Sequence, residues 1–119
     1  YLAMITEDDY TFDAINAKGL LDVTAAYSNI TLTGFTATLS TAYGSVASPV
    51  KVKGLVAGDF ALFNVNDSLA VTIVSATESA DGVYDITYAA QDAGEVLRLT
   101  PSKNGFDFSA VVTNTIQLP

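Results

Sequence analysis

The stretch from Gly54 to Tyr88, GLVAGDFALFNVNDSLAVTIVSATESADGVYDITY, constrains this chain most, because it strings four short strand patterns between turn signals and carries no helical period. Alternation of period two buries one face of each strand, so runs of this kind predict a small all-β sandwich of two stacked sheets. At its end, Asp81-Gly82 turns the chain into Val83–Tyr88, where Tyr84, Ile86 and Tyr88 share one face. Tyr84, Asp81, Gly82 and Phe60 read as structural positions, with the Tyr84 phenol buried and tied to backbone.

The rest of the chain continues the pattern. Asp22 to Ser28 gives one strand, and Ile30 with Leu32 starts an alternation that Phe35, Ala37 and Leu39 continue in the opposite parity. Gly34 sits at the parity change, where a bulge or a change of sheet is expected. Ser40 to Pro49 reads as a turn-rich connection, Val50–Val52 as a short strand, Gly54–Phe60 as a crossing segment and Phe60–Val65 as a strand. Asn66-Asp67 makes a hairpin turn, and Leu69, Val71 and Ile73 alternate on the next strand. Glu95–Thr100 turns Leu97 and Leu99 inward, and a last strand places Phe106, Phe108, Ala110 and Val112 on one side, with Ile116 and Leu118 in the same parity. The sum is seven or eight strands at a spacing of about 8–12 residues, over residues 21–119. Residues 1–20 stand apart as an N-terminal arm or extra strand, with Tyr1, Leu2, Ala3, Met4 and Ile5 as an apolar run.

Composition removes several classes of chemistry. The chain has no cysteine and no histidine, which excludes disulfides, thiolate ligands, the usual zinc donors and any Ser-His-Asp or Cys-His arrangement. A net charge of -8 repels phosphate, so nucleic acid is not an expected partner. Half of the residues are apolar and only 15% are charged, a balance that suits a domain whose surface meets other subunits or modules, although its many alanines raise the apolar share without making adhesive patches. No run of about 18 apolar residues is present, so no transmembrane helix is expected, and no signal peptide is visible. Tyr1 in place of methionine suits a processed product or an excised portion.

The segments GLVAGDF, VTIVSATES, DGVYDITYAA and EVLRLTPSKNGFDFS together resemble bacterial immunoglobulin-like repeat domains of surface adhesins and multimodular secreted proteins. Gly54, Leu55, Ala57, Asp59, Phe60, Glu78, Asp81, Gly82, Tyr84 and Gly105 carry the resemblance, which spans about residues 30–118 and leaves the arm unexplained. It implies an immunoglobulin-like antiparallel sandwich, a tyrosine corner at Tyr84, and a spacer, adhesive or assembly role. Ser40–Pro49 departs from the Asp-rich turn such repeats often carry.

Candidate chemistry is sparse. Glu7, Asp8, Asp9 and Asp13 offer hard oxygens suited to calcium, without EF-hand spacing, and a solvated acidic turn is the competing reading. Asp59, Asp67, Asp81 and Asp92 each adjoin a turn and read as caps of turn backbone. No carboxylate pair is marked for glycoside hydrolysis, and tryptophan is absent. Tyr10, Tyr27, Tyr43, Tyr84 and Tyr88 are the rings available to stack on a glycan, with Tyr43, expected in a loop, the first to test. Lys51, Lys53 and Arg98 are too few for a phosphate patch and suit strand edges. Asn29-Ile30-Thr31 and Asn66-Asp67-Ser68 match the N-glycosylation pattern.

These readings converge on a non-enzymatic structural or adhesive module of an extracellular, cell-surface or virion assembly, secreted and homo-oligomeric or filament-forming through Tyr1–Ile5. The alternative is a carbohydrate-binding or accessory module of a secreted enzyme. Neighbouring subunits or modules are the expected partners, with glycans second and calcium the one cofactor considered.

Overall fold

A computed structural model describes residues 20–44 and 49–119 of the chain. In chain order the strands are β1 (Leu21–Ser28), β2 (Gly34–Gly44), β3 (Pro49–Lys51), β4 (Phe60–Asn64), β5 (Leu69–Val71), β6 (Ile73–Ala80), β7 (Val83–Tyr88), β8 (Val96–Pro101), β9 (Phe106–Asp107) and β10 (Ile116–Gln117). A 3-10 turn at Ala57–Asp59 precedes β4, and a short helix, α1 (Ser109–Thr113), separates β9 from β10. The larger sheet runs β6-β7-β2-β1-β9, with β3 also paired to β2, and the smaller runs β10-β8-β4-β5. The result is an all-β sandwich.

The alternation read from the sequence sets the core. Tyr84, Ile86 and Tyr88 of β7 are buried while Asp85 and Thr87 face out, and Leu97 and Leu99 of β8 meet them from the other sheet. Phe35, Ala37 and Leu39 of β2, with Phe60 and Leu62 of β4, complete the interior. Each such aliphatic or aromatic burial contributes about 1.5–3 kcal/mol against the entropy of ordering the chain.

β2 pairs with two strands in succession along one edge. Its first half, Gly34–Thr38, faces β7, and its second half, Ser40–Gly44, faces β3. Leu39 is the handover: its N–H donates to Gly82 O at 2.8 Å, and its C=O accepts from Val52 N at 3.1 Å. Gly82 sits in the gap with φ +71°, where a Cβ would lie 2.8 Å from both Leu39 O and Lys51 Cβ. Only glycine fits there.

Four sequence expectations change. Ser40–Gly44 is strand and not connection, because β3 supplies partners for it and Thr41, buried, donates its hydroxyl to Val50 O at 3.1 Å. Gly34 is no bulge: it opens β2, and a Cβ there would come within 2.9 Å of Ile86 O, so close approach of β7 accounts for it. Ile30 and Leu32 belong to the β1–β2 loop and pack on the core from there, so the parity change marks the end of a loop. The run Leu69, Val71, Ile73 is split, since β5 ends at Val71 in the smaller sheet and Ile73 begins β6 in the larger, with Leu69 left 64% exposed.

The last strand departs furthest. Asp107 Oδ1 accepts from Ser109 N at 2.9 Å, and Phe108 O accepts from Val111 N and Val112 N, so the backbone turns helical. Val111 is then the fully buried residue, while Ala110 is exposed and Val112 half-buried. Breaking that run, and the earlier one, gives ten strands in place of seven or eight.

Gly82→Ala is expected to destabilise the fold by about 3 kcal/mol or more, from left-handed strain plus overpacking. Gly94→Ala is the control: φ is +80° there but nothing lies within 4 Å of the new Cβ, so strain alone costs about 1–2 kcal/mol. Urea unfolding of both variants measures the difference.

Candidate interaction surfaces

The crossing segment between β3 and β4 passes from one sheet to the other and would leave backbone groups unpaired without side-chain help. Tyr84 supplies it. Its hydroxyl donates to Val52 O at 2.7 Å and accepts from Leu55 N at 3.1 Å, while the Phe60 ring packs edge-on at 5.4 Å. Glu78 on β6 adds the neighbouring clamp, with Oε1 accepting from Gly54 N at 3.1 Å and Oε2 from Gly82 N at 3.0 Å. Those two backbone donors hold the Glu78 carboxyl below its ordinary value, with Lys53 helping. Burial, partly opposed by the Leu55 N–H, pushes the Tyr84 phenol up.

Around this clamp lies the lysine end of the sandwich. Asp59 caps its own 3-10 turn by accepting from Val56 N at 2.9 Å, and its backbone carbonyl accepts from Ser102 N at 2.8 Å. Lys103 then reaches across: its ammonium donates to Lys53 O and lies 5.8 Å from the centre of the Phe106 ring. Beside it is an open groove of about 510 Å³, with Leu20, Pro101, Phe106, Phe108 and Val112 among its walls. It is mostly apolar.

The opposite end is carboxylate-rich. Asn64, 1% exposed at the end of β4, donates to Gln91 Oε1 at 2.9 Å and accepts from Asp67 N at 3.0 Å, which fixes the β4–β5 hairpin. Asn66 Oδ1 accepts from Val96 N at 2.7 Å. A polar pocket of about 280 Å³ there gathers Asp67, Asp92 and Glu95. Desolvation raises the Asp67 carboxyl first, followed by its hydrogen bond with Glu95 and repulsion from Glu95 and Asp92. Among the described residues, no group of three or more carboxylates is arranged to hold a metal ion.

The sequence candidates distribute unevenly over this structure. Tyr1–Ile5 and the acidic set Glu7, Asp8, Asp9 and Asp13 lie outside the described residues. Tyr43 falls on strand β2 and not in a loop, and its side chain is outside the described part. Asp81 is exposed at the β6–β7 turn; Gly82, Phe60 and Tyr84 are buried within the clamp. Tyr88 is buried as well, its hydroxyl donating to Thr31 O at 2.7 Å and its pKa pushed up to about 12 by burial, so neither it nor Tyr84 is free to stack on a sugar. Tyr27 is half-buried against Phe35, 5.4 Å away edge-on, and its hydroxyl has no partner among the described residues. Asn29 and Asn66 are both exposed at turns. The sequence did not announce the Asp67–Glu95 pair or the Lys53–Lys103 contact, since both join residues far apart in the chain.

The two carboxyls act in opposite directions on stability. The Glu78 contribution is full above its ordinary value of 4.5 and is lost as pH falls through its lower folded value. The raised Asp67 contribution is present below its ordinary value of 3.8 and is lost as pH rises through the higher folded value. Glu78→Gln is therefore expected to lower stability at pH 7 and flatten the acid limb, whereas Asp67→Asn raises stability at pH 7 and leaves that limb in place. Chemical denaturation from pH 3 to 8 reads both.

Compared with known proteins, the chain matches no family model, no curated protein and no solved structure.

Proposed function

We propose that the chain is an immunoglobulin-like, non-enzymatic structural or adhesive module of an extracellular, cell-surface or virion assembly, which joins neighbouring subunits through its N-terminal strand. The observation that carries this reading is the strand path. With β3 and β9 set aside, taking β1, β2, β4, β5, β6, β7, β8 and β10 as A, B, C, C′, D, E, F and G gives orders D-E-B-A and G-F-C-C′, which supports an immunoglobulin-like reading. On this mapping Tyr84 lies on E, whereas the tyrosine corner belongs to F, so the clamp at the crossing segment is a device of this chain.

Open edges support the assembly role. β6 ends the larger sheet, and among the described residues no strand pairs with its outer side. Native edges are commonly guarded by lysine or proline; the β6 sequence IVSATESA has neither, and its one charge, Glu78, is turned to Gly54 and Gly82. Register shifts at Val74 and Ser79 guard the two ends of β6 and leave Ser75–Glu78 as the regular, open part. An extended apolar segment such as Tyr1–Ile5 of a neighbour would add there by β-augmentation. No helix among the described residues is long and apolar enough to cross a membrane.

Removal of residues 1–9, and with them Tyr1–Ile5, is expected to abolish higher-order species in native mass measurement while leaving the thermal unfolding of the monomer unchanged. Thr77→Lys in the full chain should also reduce assembly, since a lysine on an exposed edge position opposes strand addition. A strictly monomeric full chain would overturn the assembly reading, and an unfolded truncated chain would assign the arm to its own sandwich.

A further inference from the structure

We propose that the groove beside Leu20 is the seat of this chain's own residues 10–18, held in cis against the lysine end. This goes beyond the assembly reading and stands whether or not the chain assembles. Leu20, the first described residue of the N-terminal side, is itself a wall of the groove, with Pro101, Lys103, Phe106, Phe108 and Val112 around it. Leu21 N donates to Gly105 O at 3.0 Å and β1 pairs in parallel with β9, so the backbone reaches Leu20 alongside the very turn that forms the groove.

The preceding residues have the chemistry the groove asks for. Tyr10, Phe12 and Ile15 are apolar and lie within ten residues of Leu20, a reach of about 35 Å at full extension. Acidic residues accompany them, Asp13 within the stretch and Glu7, Asp8 and Asp9 just before it, and the groove wall offers the ammonium of Lys103, while its one carboxylate, Asp107, is engaged by Ser109. A segment tethered beside its site acts at an effective concentration in the millimolar range, which a second copy in dilute solution does not reach.

The absence of cysteine makes disulfide trapping a clean test. Val112→Cys is combined in the full chain with Phe12→Cys or Ile15→Cys, and diamide, a mild thiol oxidant, is added at low protein concentration. The expected result is an intramolecular crosslink with one of these positions, formed about tenfold or more faster than with Thr77→Cys on β6, at the far edge of the larger sheet from β9. Lys103→Glu should slow that crosslink, and Asp13→Lys in the same chain should restore it. Equal rates at Val112 and Thr77, or no crosslink, overturn the proposal. Crosslinked dimers alone also overturn it, since they place a second copy in the groove. A monomeric chain that forms the crosslink upholds the proposal while refuting assembly, which separates the two readings.

Discussion

A two-sheet structure depends on the places where the chain leaves one sheet for the other, and here the most demanding crossing is held by one phenolic hydroxyl. Tyr84 fills core volume with its ring and satisfies Val52 O and Leu55 N with its oxygen. Burial makes the oxygen effective, because a hydrogen bond inside the protein meets no competing water. The rest of the lysine end follows from that fixed point. Leu55 packs inward, Phe60 starts β4 against the ring, and Glu78 gathers the two glycine N–H groups on either side.

Loss of the hydroxyl would strand two buried backbone groups at once, a cost of about 2–3 kcal/mol and a large part of a small domain's stability. The ring alone would still fill its space. Position 84 thus separates the packing role of an aromatic from its polar role, a division that tyrosine makes at little cost in volume.

What was readable in the sequence was set by local pattern. The alternation at Tyr84, Ile86 and Tyr88, and again at Leu97 and Leu99, needs no partner to be seen, and both runs are buried as period two requires. The run from Leu69 to Ile73 has the same local pattern across a change of sheet, since parity alone does not say which sheet a residue belongs to. Phe106 to Val112 alternates too, yet Asp107 accepts from Ser109 and redirects the backbone, a local side-chain bond that competes with the ladder. The surfaces were the least readable part. Asp67 meets Glu95, and Lys103 meets Lys53, only because β4 and β8 pair in the register that sets Phe60 opposite Pro101 and Asn64 opposite Leu97.

That register also decides where the chain comes in and goes out. Leu20 lies at the lysine end beside Gly105, while Pro119 O accepts from Gly94 N at the carboxylate end. Tension applied through these two points would slide β1 and β9 past each other along their common direction. The parallel pairs Leu21 with Phe106 and Asp22 with Asp107 would therefore be loaded together and would part in concert, not peel open one bond at a time.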